Sequence, residues 1–195
     1  MLVKNNKLIL IFTVILLAFS MTSLSFNKAY ADEVYDGDLS LQEEQLIELL
    51  TAIENMPDHV IERGNHAIED YLEKESDFDF NTNELSNGEI AIQPASIGGI
   101  ASCVGAVGTA IVVNFTPAKI LKVKSALKTV GGATKFVKAL KPYYKMSRED
   151  NLSKTASIKQ AVKLAAGDAG PDAKEALLDL FGVSTVIGAC SGAFE

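Results

Sequence analysis

Apolar residues return every three to four positions along most of the chain beyond residue 40, the spacing of one buried face on an α-helix. Leu46, Leu49, Leu50 and Ile53 form the first such run. Ser40-Leu41-Gln42-Glu43 precedes it as a capping box, in which the serine hydroxyl accepts from an early helix amide and Glu43 reaches back. Asn55-Met56-Pro57 ends it, and a second helix is expected from Pro57, whose missing amide proton costs nothing in a first turn. Its stripe is Val60, Ile61, Ala67, Ile68, Tyr71 and Leu72, interrupted by Gly64. The two make a helical hairpin. Residues 76–87, including Ser76-Asp77-Phe78-Asp79-Phe80-Asn81-Thr82-Asn83, are polar and acidic without a sustained period, so a protease-accessible linker is expected there.

Residues 97–115 are a run without a charge, rich in Gly and Ala, with Ile100, Val104, Val107, Ile111, Val112 and Val113 among Gly98, Gly99, Gly105 and Gly108. Small residues spaced like Ala101 and Gly105 let helices approach closely. The run is long enough to span hydrocarbon at ~1.5 Å per residue, and equally fits the buried central helix of a soluble bundle. Thr116 as N-cap and Pro117 at the first helical position start the next helix, and Gly131-Gly132 stop it. Ile120, Val123, Leu127 and Val130 make its stripe. A short helix over 133–140 puts Phe136, Val137 and Leu140 inward, and Pro142 is expected to close it. After a polar loop over 145–151, helices are expected over 153–166, stopped by Gly167, and from Gly170-Pro171 to Gly182; residues 183–190 add a last apolar turn or two. No stretch alternates long enough for a strand, so the fold class is all-α.

Charge divides the chain into three blocks. Residues 1–31 carry three Lys and no acid, 32–96 carry 2 basic against 18 acidic side chains, and 97–195 carry 13 basic against 7 acidic. The formal net charge of −7 hides this asymmetry. The first block, with Lys4, Lys7, an apolar run over 8–19 and Ala29-Tyr30-Ala31, has the layout of a secretory signal cleaved after Ala31. A retained anchor over 8–24 is the alternative. Secretion leaves an acidic propeptide, 32–96, and a cationic domain, 97–195, with the processing point placed between Asn87 and Ser96. The two cysteines, Cys103 and Cys190, then read as one disulfide, with two buried free thiols as the alternative.

Lys119, Lys122, Lys124, Lys128, Lys135, Lys138, Lys141 and Lys145 follow one another without an intervening acid. Ordinary surfaces interleave the signs, so these residues are the candidates for binding anionic lipid, each worth ~1 kcal/mol near the surface. Nucleic acid is not expected as a partner: Arg148 is the sole arginine of the basic block, and Tyr143 and Tyr144 sit together instead of along a groove.

No catalytic chemistry is expected. The basic block has no His, so triad hydrolysis lacks its base and a thiol protease its partner. Asp168, Asp172, Glu175 and Asp179 are its one carboxylate cluster, at spacings commoner for solvated charge than for a glycosidase pair. His59, Glu62 and His66 share a helix face, but a zincin needs its histidines four apart, and no metal or cofactor is expected. Asn114-Phe115-Thr116 and Asn151-Leu152-Ser153 match a glycosylation sequon that is frequent by chance.

The stretch from Cys103 through Pro117-Ala118-Lys119-Ile120-Leu121-Lys122-Val123-Lys124, then Leu127, Gly131-Gly132, Lys138-Ala139-Leu140 and Cys190, resembles the closticin-like bacteriocins of Gram-positive bacteria. The resemblance covers roughly 97–195 and departs in a longer stretch over 143–153 and in Ser125, where a further Lys fits the pattern. It implies an exported precursor whose C-terminal part is the antibacterial peptide, and it carries no catalytic residues. Together with the charge pattern, the expected function is a secreted bacteriocin precursor: a processing protease separates the acidic propeptide, the partner in cis, from a cationic domain that permeabilises the membranes of competing bacteria. The rivals are a non-toxic secreted helical interaction or immunity protein and, with less support, a cell-wall hydrolase.

Overall fold

The computed structural model describes residues 40–76, 82–84, 90–92 and 101–195. Nine α-helices occur among them. In chain order they are α1 (Leu41–Asn55), α2 (Asp58–Glu62), α3 (Asn65–Glu75), α4 (Ala101–Thr109), α5 (Pro117–Thr129), α6 (Ala133–Glu149), α7 (Lys154–Ala165), α8 (Pro171–Phe181) and α9 (Ser184–Phe194). The fold class is all-α. The one departure is a three-residue antiparallel pair, β1 (Thr82–Glu84), inside the segment expected as a linker, with β2 (Ile90–Ile92), in the stretch expected to hold the processing point. The secretory signal, the boundary between residues 96 and 97, and most of the expected processing stretch lie outside the described residues.

Local side-chain chemistry sets three of the helix starts. Ser40 and Glu43 form the capping box at α1. Thr116 accepts from the Lys119 amide with Pro117 at the first position of α5, and Ser153 accepts from the Ala156 amide at α7. Each satisfies an amide that a helix start otherwise leaves unpaired.

Four boundaries differ from expectation. The second acidic helix breaks into α2 and α3 at Gly64, whose φ of +87° lies in the left-handed region that favours glycine, and Pro57 is its N-cap, not its first helical residue. Pro142 does not close α6, which continues through it to Glu149. A proline removes one ladder hydrogen bond, but the buried stripe Phe136, Val137, Leu140, Tyr144 and Ser147 keeps its helical spacing across it. Packing of α6 along α7 and against α9 holds the extra turns, with Tyr144 against Phe194 of α9 at 5.9 Å between ring centroids. The last helix likewise runs past Cys190 to Phe194.

The helices of the acidic block and those of the basic block share one hydrophobic core within the compact unit Asp38–Glu195. Leu46, Leu49, Leu50, Ile53 and Met56 are buried where α1 lies against α4, α5 and α6. Fully burying an aliphatic side chain contributes ~1.5–3 kcal/mol relative to leaving it exposed, so α1 is held by its apolar face before any charge is considered. On the far side of the core α5 packs on α8, and α9 packs on α4 and α7. Phe136 and Phe181 meet there edge to face.

Candidate functional site

The cysteines are joined. Cys103 on α4 and Cys190 on α9 form a disulfide across 87 positions of sequence, with Cα atoms 4.4 Å apart and both residues buried. It ties two helices that carry no charged side chain, at opposite ends of the basic block.

The apolar run is a core element. Described from residue 101, it forms α4 and then a π-helical turn over Ala110–Asn114. Cys103, Val104, Val107, Ala110, Ile111, Val112 and Phe115 are buried, while Val113 is half exposed. Among the described residues no single helix is long and apolar enough to cross a membrane; α8 and α9 reach that length only as a pair bent by 86°.

The eight lysines separate into three groups. Lys124 and Lys141 turn toward the acidic helices, with side chains only 15% and 23% exposed. Lys124 donates to the Met56 carbonyl at 2.7 Å and to the Asp58 carboxylate; Lys141 donates to Glu43 Oε2 at 3.2 Å. Lys119 lies 3.5 Å from Asp179 of α8 and over the Phe115 ring at 5.5 Å from its centroid. Lys122, Lys128, Lys135 and Lys145 are exposed and Lys138 is half-buried. Among the described residues no acid lies within ion-pair distance of these five.

The acidic side of this contact is built by α1 and the start of α2. Glu43 is 2% exposed and accepts at one oxygen from the Ser40 hydroxyl, the Ser40 amide and Lys141. Burial pushes its carboxyl up, but the Ser40 and Lys141 hydrogen bonds outweigh burial and leave it below its ordinary value. The hydrogen bond from Lys124, with that ammonium's charge, holds the Asp58 carboxyl down as well.

A third contact was not legible from the sequence. Glu54 Oε2 accepts from the Ala133 amide at 2.8 Å, across 79 positions. Gly132, the N-cap of α6, has φ +97° and no side chain with which to cap, so a carboxylate from α1 takes that part. The only local signal was the Gly-Gly stop itself, which predicts an uncapped start but not its partner.

Among the described residues no three His, Cys, Asp or Glu side chains come together as ligands, and His66 faces Glu69 at 3.9 Å. Glu175 and Asp179 line a shallow depression together with Lys159 and Lys163. Asn114 and Asn151 are both exposed, Asn114 next to the buried Phe115. Comparison with known protein families, curated proteins and solved structures gave no match.

Proposed function

We propose that the chain is the precursor of a secreted bacteriocin of the closticin-like kind, acting on anionic membranes of competing bacteria without catalysis. Residues 97–195 are the active part, and residues 32–96 are a propeptide that covers it until a processing protease acts. The observation that carries this reading is the seating of α1 on the basic helices. An acidic amphipathic helix fills the apolar face formed by α4, α5 and α6; its carboxylates occupy Lys141 and the start of α6, and Asp58 at the start of α2 occupies Lys124.

Removing it uncovers apolar side chains beside cations. Lys122, Lys128, Lys135, Lys138 and Lys145 would bring the domain to anionic lipid, and the freed Lys124 and Lys141 would add to them. At ~1 kcal/mol per lysine near the surface, the attraction is of a useful size. The exposed apolar face, with the charge-free α4 and α9 still tied by the disulfide, would then enter the interfacial region.

The test is a spot assay on Gram-positive lawns at equal molar amounts. Residues 97–195, freed of the acidic part, are expected to clear at least one lawn that the full chain does not. No clearing on any lawn by the freed domain would overturn the proposal in favour of a non-toxic interaction protein.

A further inference from the structure

We propose that the groove formed by α4, α5 and α6 is a binding site specific for the chain's own acidic helices, and that it retains them after the connecting backbone is cut. The inference rests on the cover-and-body reading above but not on any toxicity of the body. It makes dissociation, not cleavage, the step that frees the basic helices.

Two kinds of contact support it. The apolar contribution is core-like: Leu49, Leu50, Ile53 and Met56 of the acidic block are each 0% exposed. They belong to the same cluster as Ile111, Ile120, Val123 and Phe136 of the basic block. Interfaces that resemble a domain core cut in half belong to permanent complexes, whereas transient ones are more polar. Among the described residues, α1, α2 and α3 make their contacts with α4, the π-helical turn, α5 and α6 directly, through packing and not through the connecting backbone.

The polar contacts supply a code for the occupant. Glu43 meets Lys141, Glu54 meets the Ala133 amide, and Asp58 meets Lys124, which also holds the Met56 carbonyl. Three acids at these positions fix register and direction on the groove, because a helix slid by one turn would leave the Ala133 amide and Lys124 without their partners. Complementary charge of this kind selects the partner more than it sets raw affinity. The segment is thus the partner that this surface fits: an amphipathic helix with an acid near its start, a second eleven residues on, and a third just past its end.

The experiment uses the full chain with a site-specific protease sequence inserted after Asn87, cut to completion and passed over a sizing column without denaturant. The fragments are expected to elute together at micromolar concentration. Elution as two separate species would overturn the proposal. A second arm follows exchange of the bound acidic fragment against a labelled excess of itself, in the parent and in Glu54→Gln and Glu54→Ala chains. Loss of the cap and its charge is expected to speed exchange about five- to thirtyfold for Glu54→Ala, with a smaller effect for Gln. Equal exchange rates in all three would overturn the polar code. Membrane leakage plays no part in either readout, so fragments that stay together without any toxicity would count against the functional proposal alone.

Discussion

Glu54 is the most informative single position, because its carboxylate reaches from the acidic block to start a helix in the basic block. Replacing it by Ala leaves the Ala133 amide without its 2.8 Å acceptor, and Gly132 has no side chain to substitute. Losing a capping oxygen costs about 1 kcal/mol. Removing a negative charge from a helix N-terminus adds about 0.3–1 kcal/mol. Glu54→Ala is therefore expected to destabilise the chain by roughly 1–2 kcal/mol, and Glu54→Gln, which keeps an acceptor without the charge, by about half as much. Urea unfolding followed by circular dichroism should show the Ala variant's midpoint lower by roughly 0.5–1 M for a slope of about 2 kcal/mol per M. Hydrogen exchange supplies the local readout, since the Ala133 amide should lose protection in the Ala variant and keep most of it in the Gln variant. A loss under about 0.5 kcal/mol, the range of ordinary surface substitutions, together with unchanged protection at Ala133, would refute the cap.

Three further outcomes follow from the same contacts. The double variant Cys103→Ala/Cys190→Ala releases a loop of 87 positions and should lower unfolding stability by ~4–5 kcal/mol on the loop-entropy model; a loss below ~1 kcal/mol would deny the bridge that role. Glu43 and Asp58 are both held below their ordinary values of 4.5 and 3.8, so their stabilisation is full above those values and is lost as pH falls through the depressed folded ones. Glu43→Gln/Asp58→Asn should accordingly flatten the fall in stability on acidification below about pH 5, and an acid limb as steep as the parent's would contradict the pairing. Changing Lys122, Lys128, Lys135 and Lys145 to Glu should weaken binding of the separated basic domain to anionic vesicles at low salt by at least about three orders of magnitude, and undiminished partitioning would remove these residues from the membrane role.

Much of the fold was readable because capping chemistry is local. Ser40 and Glu43, Thr116 and Lys119, and Ser153 and Ala156 are each three positions apart, so residue type and spacing determine the bond. The cysteine pair was readable from number and expected compartment alone. Pro142 misled because its cost is local while its compensation, the packing of α6 on α7, is tertiary. The candidate site was legible only in part. Eight lysines without an intervening acid identified the basic face, yet composition could not tell Lys124 and Lys141, which meet acids 66 and 98 positions away, from Lys122 and Lys135, which face solvent. Glu43 was recognised as a capping residue, but its second partner, Lys141, lies 98 positions along the chain. For the same reason the 97–115 run fitted two readings in the sequence, and its described part is a buried central helix once α1 is seated.

The most direct measurement of the central claim is dye release from anionic vesicles. The full chain, the separated residues 97–195, and that fragment after addition of residues 32–96 would be compared at equal concentration. The account predicts release by the separated basic part, little or none by the full chain, and suppression when the acidic part is returned. Equal release by the full chain and the separated part, or no release by the separated part at low salt, would contradict it.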